Sequence, residues 1–348
     1  MSFYDIKSMN YEQVMEFVIA TLGEKSFRAK QLYEWMHVHL AESYDEMTNL
    51  PKQMREKCKD LTEYTSLKQL DCQVSKEDGT RKYLFELSDG NLVESVMLSY
   101  RYGNSVCISS QVGCKMGCRF CASTLNGWER NLTAAEMLEQ VYSIQADLGE
   151  RISNVVVMGT GEPLDNLDAL LAFIEILTDE HGLHISQRNI TVSTCGLVPQ
   201  IKELAQKKLQ ITLALSLHAS NQKKREELMP IAKTYEIHEV LDTLLYYFQE
   251  TGRRVSIEYS LVAGQNDSLE DAVELAHLLA SIPCHVNLIP VNPIQEREYQ
   301  ATTLGGISAF KKRLENYGIN VTIRREMGRD IDGACGQLRR RYLERDYV

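Results

Sequence analysis

The sequence predicts an α/β protein, a partial (β/α)6 barrel with a small helical accessory domain ahead of it and a β-hairpin extension between the two. Three observations predict this. From residue 106 onward, strand-like and helix-like runs alternate without interruption. Consecutive strand–helix units give a parallel sheet with helices outside, and right-handed crossovers curl it. Six units are too few to close an eight-stranded barrel, which leaves a partial barrel, with a flat doubly wound sheet as the alternative.

The elements follow in order. Tyr11 to Leu22 and Arg28 to His39 carry apolar residues at helical spacing, and Leu50-Pro51 starts a further helix through Cys58. These define an accessory domain over 1–75. The period then changes. Lys82 to Leu87 and Leu92 to Leu98 are strand-like, and Ser88-Asp89-Gly90-Asn91 is a hairpin turn, giving an extension over 76–105. The barrel occupies 106–327. Its expected strands are 106–112, 154–159, 189–194, 210–217, 254–261, 285–290 and 320–325. Its expected helices are near 133–148, 165–179, 198–207, 236–250, 268–281 and 303–316. Residues 328–348 form a Gly-rich loop and a basic tail.

The bulk properties fit a reduced, cytoplasmic enzyme. Nine cysteines without regular spacing do not form a secreted disulfide framework. The start, Met-Ser-Phe-Tyr-Asp-Ile-Lys-Ser, has no apolar signal core, and no run of 18 apolar residues predicts a membrane span. The net charge of −10 argues against a general nucleic-acid binder, but local patches decide binding. Residues 321–348 hold seven Arg against five acids. Lys223-Lys224-Arg225 and Lys311-Lys312-Arg313 are further basic knots, each read as a solvated helix face.

Cys114, Cys118 and Cys121 form a C-x3-C-x2-C triplet. A structural zinc site takes four protein ligands, and an ordinary 4Fe–4S carrier takes four cysteines. No His lies between 107 and 180, and beyond Cys107 the next cysteine outside the triplet is Cys195. Three thiolates on a cubane leave one iron open. The spacing, with Phe120 before the last cysteine, resembles the radical S-adenosylmethionine (SAM) superfamily, in which the open iron of a 4Fe–4S cluster holds SAM. A zinc knuckle is the competing reading of the triplet.

The remaining unusual residues gather at the C-terminal ends of the expected strands, the rim where parallel α/β barrels assemble chemistry. Gly159-Thr160-Gly161-Glu162-Pro163 is a tight turn whose Glu162 can accept from an ammonium group. Ser193, Ser216 and Asn292 are small polar groups suited to ribose and carboxylate, and Leu217 and His218 follow Ser216. Cys335 lies in a Gly-rich loop, where access favours reactivity. Cys107 enters the cluster strand facing either core or rim, and Glu94 sits on a hairpin strand.

Taken together, these residues closely resemble the RlmN family of adenine carbon-2 methyltransferases, which act on large-subunit (23S) ribosomal RNA and on transfer RNA. The match spans nearly the whole chain. It includes Val93-Glu94-Ser95-Val96, Cys107 through Cys121, Met158 to Pro163, Thr191 to Thr194, Ser216 to Ala219, Leu228 to Ile231, Asn287 to Pro293 and Asp330 to Leu338. The resemblance implies a 4Fe–4S cluster on Cys114, Cys118 and Cys121. It implies SAM held by Gly161, Glu162, Ser193, Ser216, Leu217, His218 and Asn292. It implies Cys335 as methyl carrier, Cys107 as resolving thiol and Glu94 as a base. It further implies that two SAM are consumed per methyl transferred and that an external donor such as flavodoxin or ferredoxin supplies electrons. Carbon-8 methyltransferases of the Cfr type typically carry Gly-Glu-Ala where this chain has Gly161-Glu162-Pro163, and they lack the Val291-Asn292-Pro293 form. A non-catalytic zinc- and RNA-binding protein would explain the cysteines and the basic tail, but not the six-unit rim.

Overall fold

The structure, a computed structural model, describes residues 4–291, 299–331 and 337–345. The N-terminal unit begins with strand β1 (Tyr4–Asp5). Helices α1 (Tyr11–Glu16), α2 (Phe27–His37) and α3 (Lys52–Leu61) follow, and β2 (Thr62–Glu63) returns to pair with β1. Asn10 starts α1 with a capping box closed by Gln13, which satisfies two of the orphan amides of a helix start. A meander of β3 (Lys68–Val74), β4 (Arg81–Glu86), β5 (Leu92–Tyr100) and β6 (Gly103–Ile108) comes next, all antiparallel. The expected hairpin is β4–β5. The third strand, β3, is a correction to the helical reading of its stretch. Its sequence, Lys-Gln-Leu-Asp-Cys-Gln-Val, is polar because it forms one edge of the sheet, where polar side chains discourage further pairing.

The expected strand 106–112 is in fact two. β6 stops at Ile108, because the Gln140 side chain takes over the backbone of Ser109. Its Oε1 accepts from Ser109 N at 2.8 Å, and its Nε2 donates to Ser109 O at 3.0 Å. The chain then leaves the sheet as β7 (Gln111–Gly113), which pairs with β8 (Trp128–Asn131). Residues 114–127 are the loop at the end of that ribbon. Gly113 is required there. Its φ is +76°, and a Cβ would stand 2.0 Å from Gly127 O.

The barrel proper runs through α4 (Ala134–Leu148), β9 (Ile152–Val157), α5 (Leu167–Thr178), β10 (Ile190–Thr194), α6 (Val198–Gln206) and β11 (Thr212–Ser216). It continues with α7 (Gln222–Leu228), α8 (Ile237–Thr251), β12 (Val255–Leu261), α9 (Leu269–Leu278), β13 (Cys284–Pro290), α10 (Leu304–Asn316) and β14 (Val321–Ile323), and α11 (Gln337–Arg345) follows. The ten strands lie in the order β14-β13-β12-β11-β10-β9-β6-β5-β4-β3. From β6 to β14 every pair is parallel and the order never reverses. A doubly wound sheet reverses at its switch point, so sequential order selects the partial barrel. Thr133 and Glu136 cap α4, as Ser268 and Asp271 cap α9. Among the described residues, no helix is long and apolar enough to cross a membrane.

The N-terminal unit shares the barrel's core, with Ile6, Leu32 and Met36 packed in the same apolar cluster as Met137 and Ile144. Two buried polar contacts fix its seat on α4. Lys7 Nζ meets Glu139 Oε1 at 2.6 Å, and His37 Nδ1 lies 2.8 Å from the Tyr142 hydroxyl. Burial, with a smaller contribution from Lys7, pushes the His37 imidazole down from 6.5 to about 3. The unfolded chain therefore binds one more proton than the folded one between those values, and stability is lost as pH falls through that window. His37→Gln should remove about 1.4 kcal/mol per pH unit from the acid slope. Urea midpoints of both proteins between pH 4 and 6, inside the window, check this.

Candidate functional site

Two adjoining cavities open at the C-terminal ends of the parallel strands. The inner one, about 250 Å³, is lined by Cys114, Cys118, Cys121, Glu162, Ser193, Ser216 and His218, with Gly161 in its wall. The outer one, about 440 Å³, is lined by Cys107, Tyr100, Met327 and the arginines 324, 325 and 329. Phe120, Cys121, Ser260, Ile289 and Arg324 belong to both walls. The rim that the sequence scatters over 200 residues is thus one place.

The cysteine loop is held at both ends. Cys114 N donates to Gly127 O at 2.8 Å, Thr124 Oγ1 donates to Cys118 O and Cys121 O, and Arg119 N donates to Leu228 O at 2.9 Å. Burial pushes the Cys114 thiol up to about 12 and the Cys118 thiol well above its ordinary value, and neighbouring thiols add to both shifts. Such sulfurs keep their protons until a cationic centre replaces them, so metal uptake releases protons. Among the described residues no three His, Cys, Asp or Glu side chains form a ready-made metal-binding group. The three cysteines line one cavity instead.

Glu162 is buried. Its carboxylate accepts from Leu164 N at 3.0 Å and Cys195 N at 2.7 Å, while its own N donates to Gln111 Oε1 at 2.8 Å. Burial raises its pKa and these hydrogen bonds oppose that rise. Gly161 permits the turn. Its φ is +113°, and a Cβ would lie 2.7 Å from Gln111 Cβ. Ser193 and Ser216 end neighbouring strands with their hydroxyls 3.2 Å apart. Leu217 does not join them, because its side chain is fully buried in the apolar core. His218 follows in the left-handed region at φ 55°, a costly conformation for a non-glycine residue. Asn266 and Ser260 hold it there. Asn266 Nδ2 donates to His218 O at 2.8 Å, and Ser260 N donates to His218 Nδ1 at 2.9 Å. Burial pushes His218 down to about 3. With Nδ1 accepting, the neutral ring carries its proton on Nε2.

Cys107 resolves to the cavity side. Its β6 neighbours Val106 and Ile108 face the helices, whereas Cys107 packs with Val96 and Leu98 and lines the outer cavity. Glu94 is on neither cavity wall. It pairs with Lys82 at 3.0 Å and accepts from Arg339 N in the first turn of α11. Asn292 and Cys335 lie outside the described residues. Sequence reasoning missed Gln111, Gln140 and Asn266, polar residues that hold the backbone of the rim. Gln140, on the helical stripe between Met137 and Ile144, was the available signal, whereas Gln111 and Asn266 stand among polar neighbours that gave none. It also misread Arg225, taken as part of a solvated basic face. Lys223 is exposed and Lys224 pairs with Asp271, but Arg225 is fully buried.

The chain matches the radical SAM superfamily profile over residues 108–278 and the profile of the ribosomal RNA large subunit methyltransferase N-terminal domain over 4–63. It is similar, at 40% identity and a TM-score of 0.91, to the crystal structure of a radical SAM methyltransferase from Sphaerobacter thermophilus, covering 96% of this chain and 98% of that one. These define a radical SAM protein, and such proteins use SAM and a 4Fe–4S cluster. Probable dual-specificity RNA methyltransferases RlmN from Lachnospira eligens and Lachnoclostridium phytofermentans are 63% and 56% identical to it. The alignments cover 98% and 99% of this chain and 97% and 96% of those proteins. The chain belongs to the RlmN family of radical SAM RNA methyltransferases. The residues of the inner cavity fit the cofactors, with three soft donors on one loop and a carboxylate, two hydroxyls and an imidazole N–H in the same cavity.

Proposed function

We propose that this protein methylates carbon 2 of adenine in 23S rRNA and tRNA, with Cys335 as the methyl carrier and two SAM consumed per methyl transferred. One observation carries the reading. Ile331 and Gln337, at the two edges of the segment containing Cys335, line the outer cavity, and Cys107 lines it too. That cavity adjoins the inner one through Phe120 and Cys121. Asp330 supports this placement by accepting from Ser75 Oγ and from Lys76 N at 2.8 Å, and Gly328 N donates to Asp78 at 2.9 Å. Glu94, expected as a base, holds the helix that begins two residues after Cys335.

Cys114, Cys118 and Cys121 hold the cluster in this reading, and Glu162, Ser193, Ser216 and His218 orient SAM, with Asn292 and the backbone of Gly161 and Leu217 completing its site. When bound there, the cluster would supply the one-electron reduction of SAM to a deoxyadenosyl radical, with electrons from a donor such as flavodoxin or ferredoxin. Carbon 2 of adenine is electron-poor and bears no acidic proton, so simple transfer of a methyl cation is a poor route. Cys335 instead presents a methyl group, loaded from a first SAM, from which hydrogen is abstracted. The resulting carbon radical adds to carbon 2. The adduct then gives up the carbon-2 hydrogen as a proton to a base and its unpaired electron to the oxidised electron-transfer centre, which restores the aromatic ring. The buried walls exclude water from these steps. The Cys107 sulfur then attacks the Cys335 sulfur. The S–S bond forms, the S–C bond breaks, and its electron pair stays on carbon, which takes a proton. A reductant restores the thiols. RNA meets the acidic chain at the arginine-lined mouth, where binding should weaken as salt rises. An RNA substrate and a cluster that must be kept reduced fit a cytoplasmic enzyme.

Isotopes test the carrier step. With SAM trideuterated on its methyl group, one deuterium should appear in deoxyadenosine and the new methyl should carry one solvent hydrogen. An intact trideuteromethyl group on the base would contradict a carrier from which hydrogen is abstracted.

A further inference from the structure

Arg225 is fully buried, at the cysteine loop's back. It sits on α7, whose C-terminal end grips that loop. Leu228 O accepts from Arg119 N at 2.9 Å, a Cβ on Gly117 would lie 3.5 Å from Pro230 Cγ, and Met229 lines the inner cavity. Its guanidinium donates to two carbonyls, Cys195 O at 2.6 Å and Tyr235 O at 3.3 Å. Nε has no partner, and no ion pair among the described residues includes Arg225. One carboxylate reaches it indirectly: Glu162 accepts the N–H of the same Cys195 whose carbonyl Arg225 holds. Cys195, whose carbonyl Arg225 holds, and Cys118, within electrostatic reach of the guanidinium, both line the inner cavity.

A buried cation without a counter-ion is costly, and proteins keep one where a negative charge is brought to it. Three thiolates carry three negative charges, which exceed the two positive charges of an oxidised 4Fe–4S core. The loaded site is therefore anionic, and reduction adds one more negative charge. We infer that Arg225 is the buried counter-ion of the cluster, a positioning residue that makes the cluster easier to reduce. This rests on the reading of Cys114, Cys118 and Cys121 as cluster ligands. The sign follows from the charges. A fixed cation stabilises the reduced, more negative form, so removing it moves the reduction potential to more negative values.

The test is an anaerobic redox titration of reconstituted full-length protein, read by electron paramagnetic resonance of the reduced cluster without SAM or RNA. Wild type, R225K and R225Q are compared. R225Q should be about tenfold harder to reduce, a shift of about −59 mV for one electron. R225K, which keeps the charge and loses the fork, should stay near wild type. A wild-type potential in R225Q, or a potential in R225K as low as in R225Q, overturns the inference. Should R225Q not fold, R225K decides alone. A charge role predicts a cluster with near wild-type potential, and loss of fold or cluster in R225K shows that only the guanidinium geometry matters. Wild-type protein that takes up no 4Fe–4S cluster would instead refute the ligand reading, whatever Arg225 does.

Discussion

Cys107→Ala should accumulate RNA covalently joined to the protein, whereas Cys335→Ala should form neither adduct nor methylated base. In the proposed mechanism the difference follows from where each thiol acts. Without Cys335 no methyl is loaded, so nothing is presented to adenine. Without Cys107 the loaded carbon still adds to the base, but no sulfur is available to break the S–C bond. Cys107 stands on the wall of the outer cavity, and the residues on either side of the Cys335 segment stand on the same wall. The adduct should run as a shifted species that nuclease trims to one nucleotide on Cys335, and the double variant should show none. Free turnover by Cys107→Ala, or methyladenosine from Cys335→Ala, would end the two-thiol account while leaving the cluster untouched.

Replacing any one of Cys114, Cys118 and Cys121 with Ala should abolish reductive cleavage of SAM, with deoxyadenosine falling to the level of protein-free controls. A cubane held by two thiolates is exposed to loss of iron, and among the described residues no His lies between Cys107 and the end of the loop to replace the missing donor. Iron and sulfide content should fall in the same variants after anaerobic reconstitution. Normal deoxyadenosine production by any of the three would remove that cysteine from the ligand set.

Much of this site was legible in the sequence because its chemistry is carried by rare residue types at fixed local spacing. The triplet of cysteines, the Gly-x-Gly-Glu-Pro turn and the Ser-Leu-His run are each compact in sequence, and the last two directly follow an apolar strand whose direction fixes the rim. What depends on long-range packing was not legible. The break of the first barrel strand after Ile108 is imposed by Gln140, which lies 31 residues from Ser109. Strand β3 is polar because only its place at the sheet edge makes it a strand. Leu217 lies between two cavity residues, yet strand alternation sends its side chain to the core. Arg225 reads as one of three adjacent basic residues, and only the helix periodicity of α7 separates it from its exposed neighbour Lys223. Two of the expected functional residues, Asn292 and Cys335, fall outside the described residues, so their roles rest on the sequence and on the groups that flank them.

The most direct measurement is mass spectrometry of nucleosides from 23S rRNA and tRNA, each treated with reconstituted protein, SAM and a reductant. 2-Methyladenosine in both RNA classes is the predicted result. 8-Methyladenosine, or no methyladenosine from protein with an intact cluster, would contradict the account.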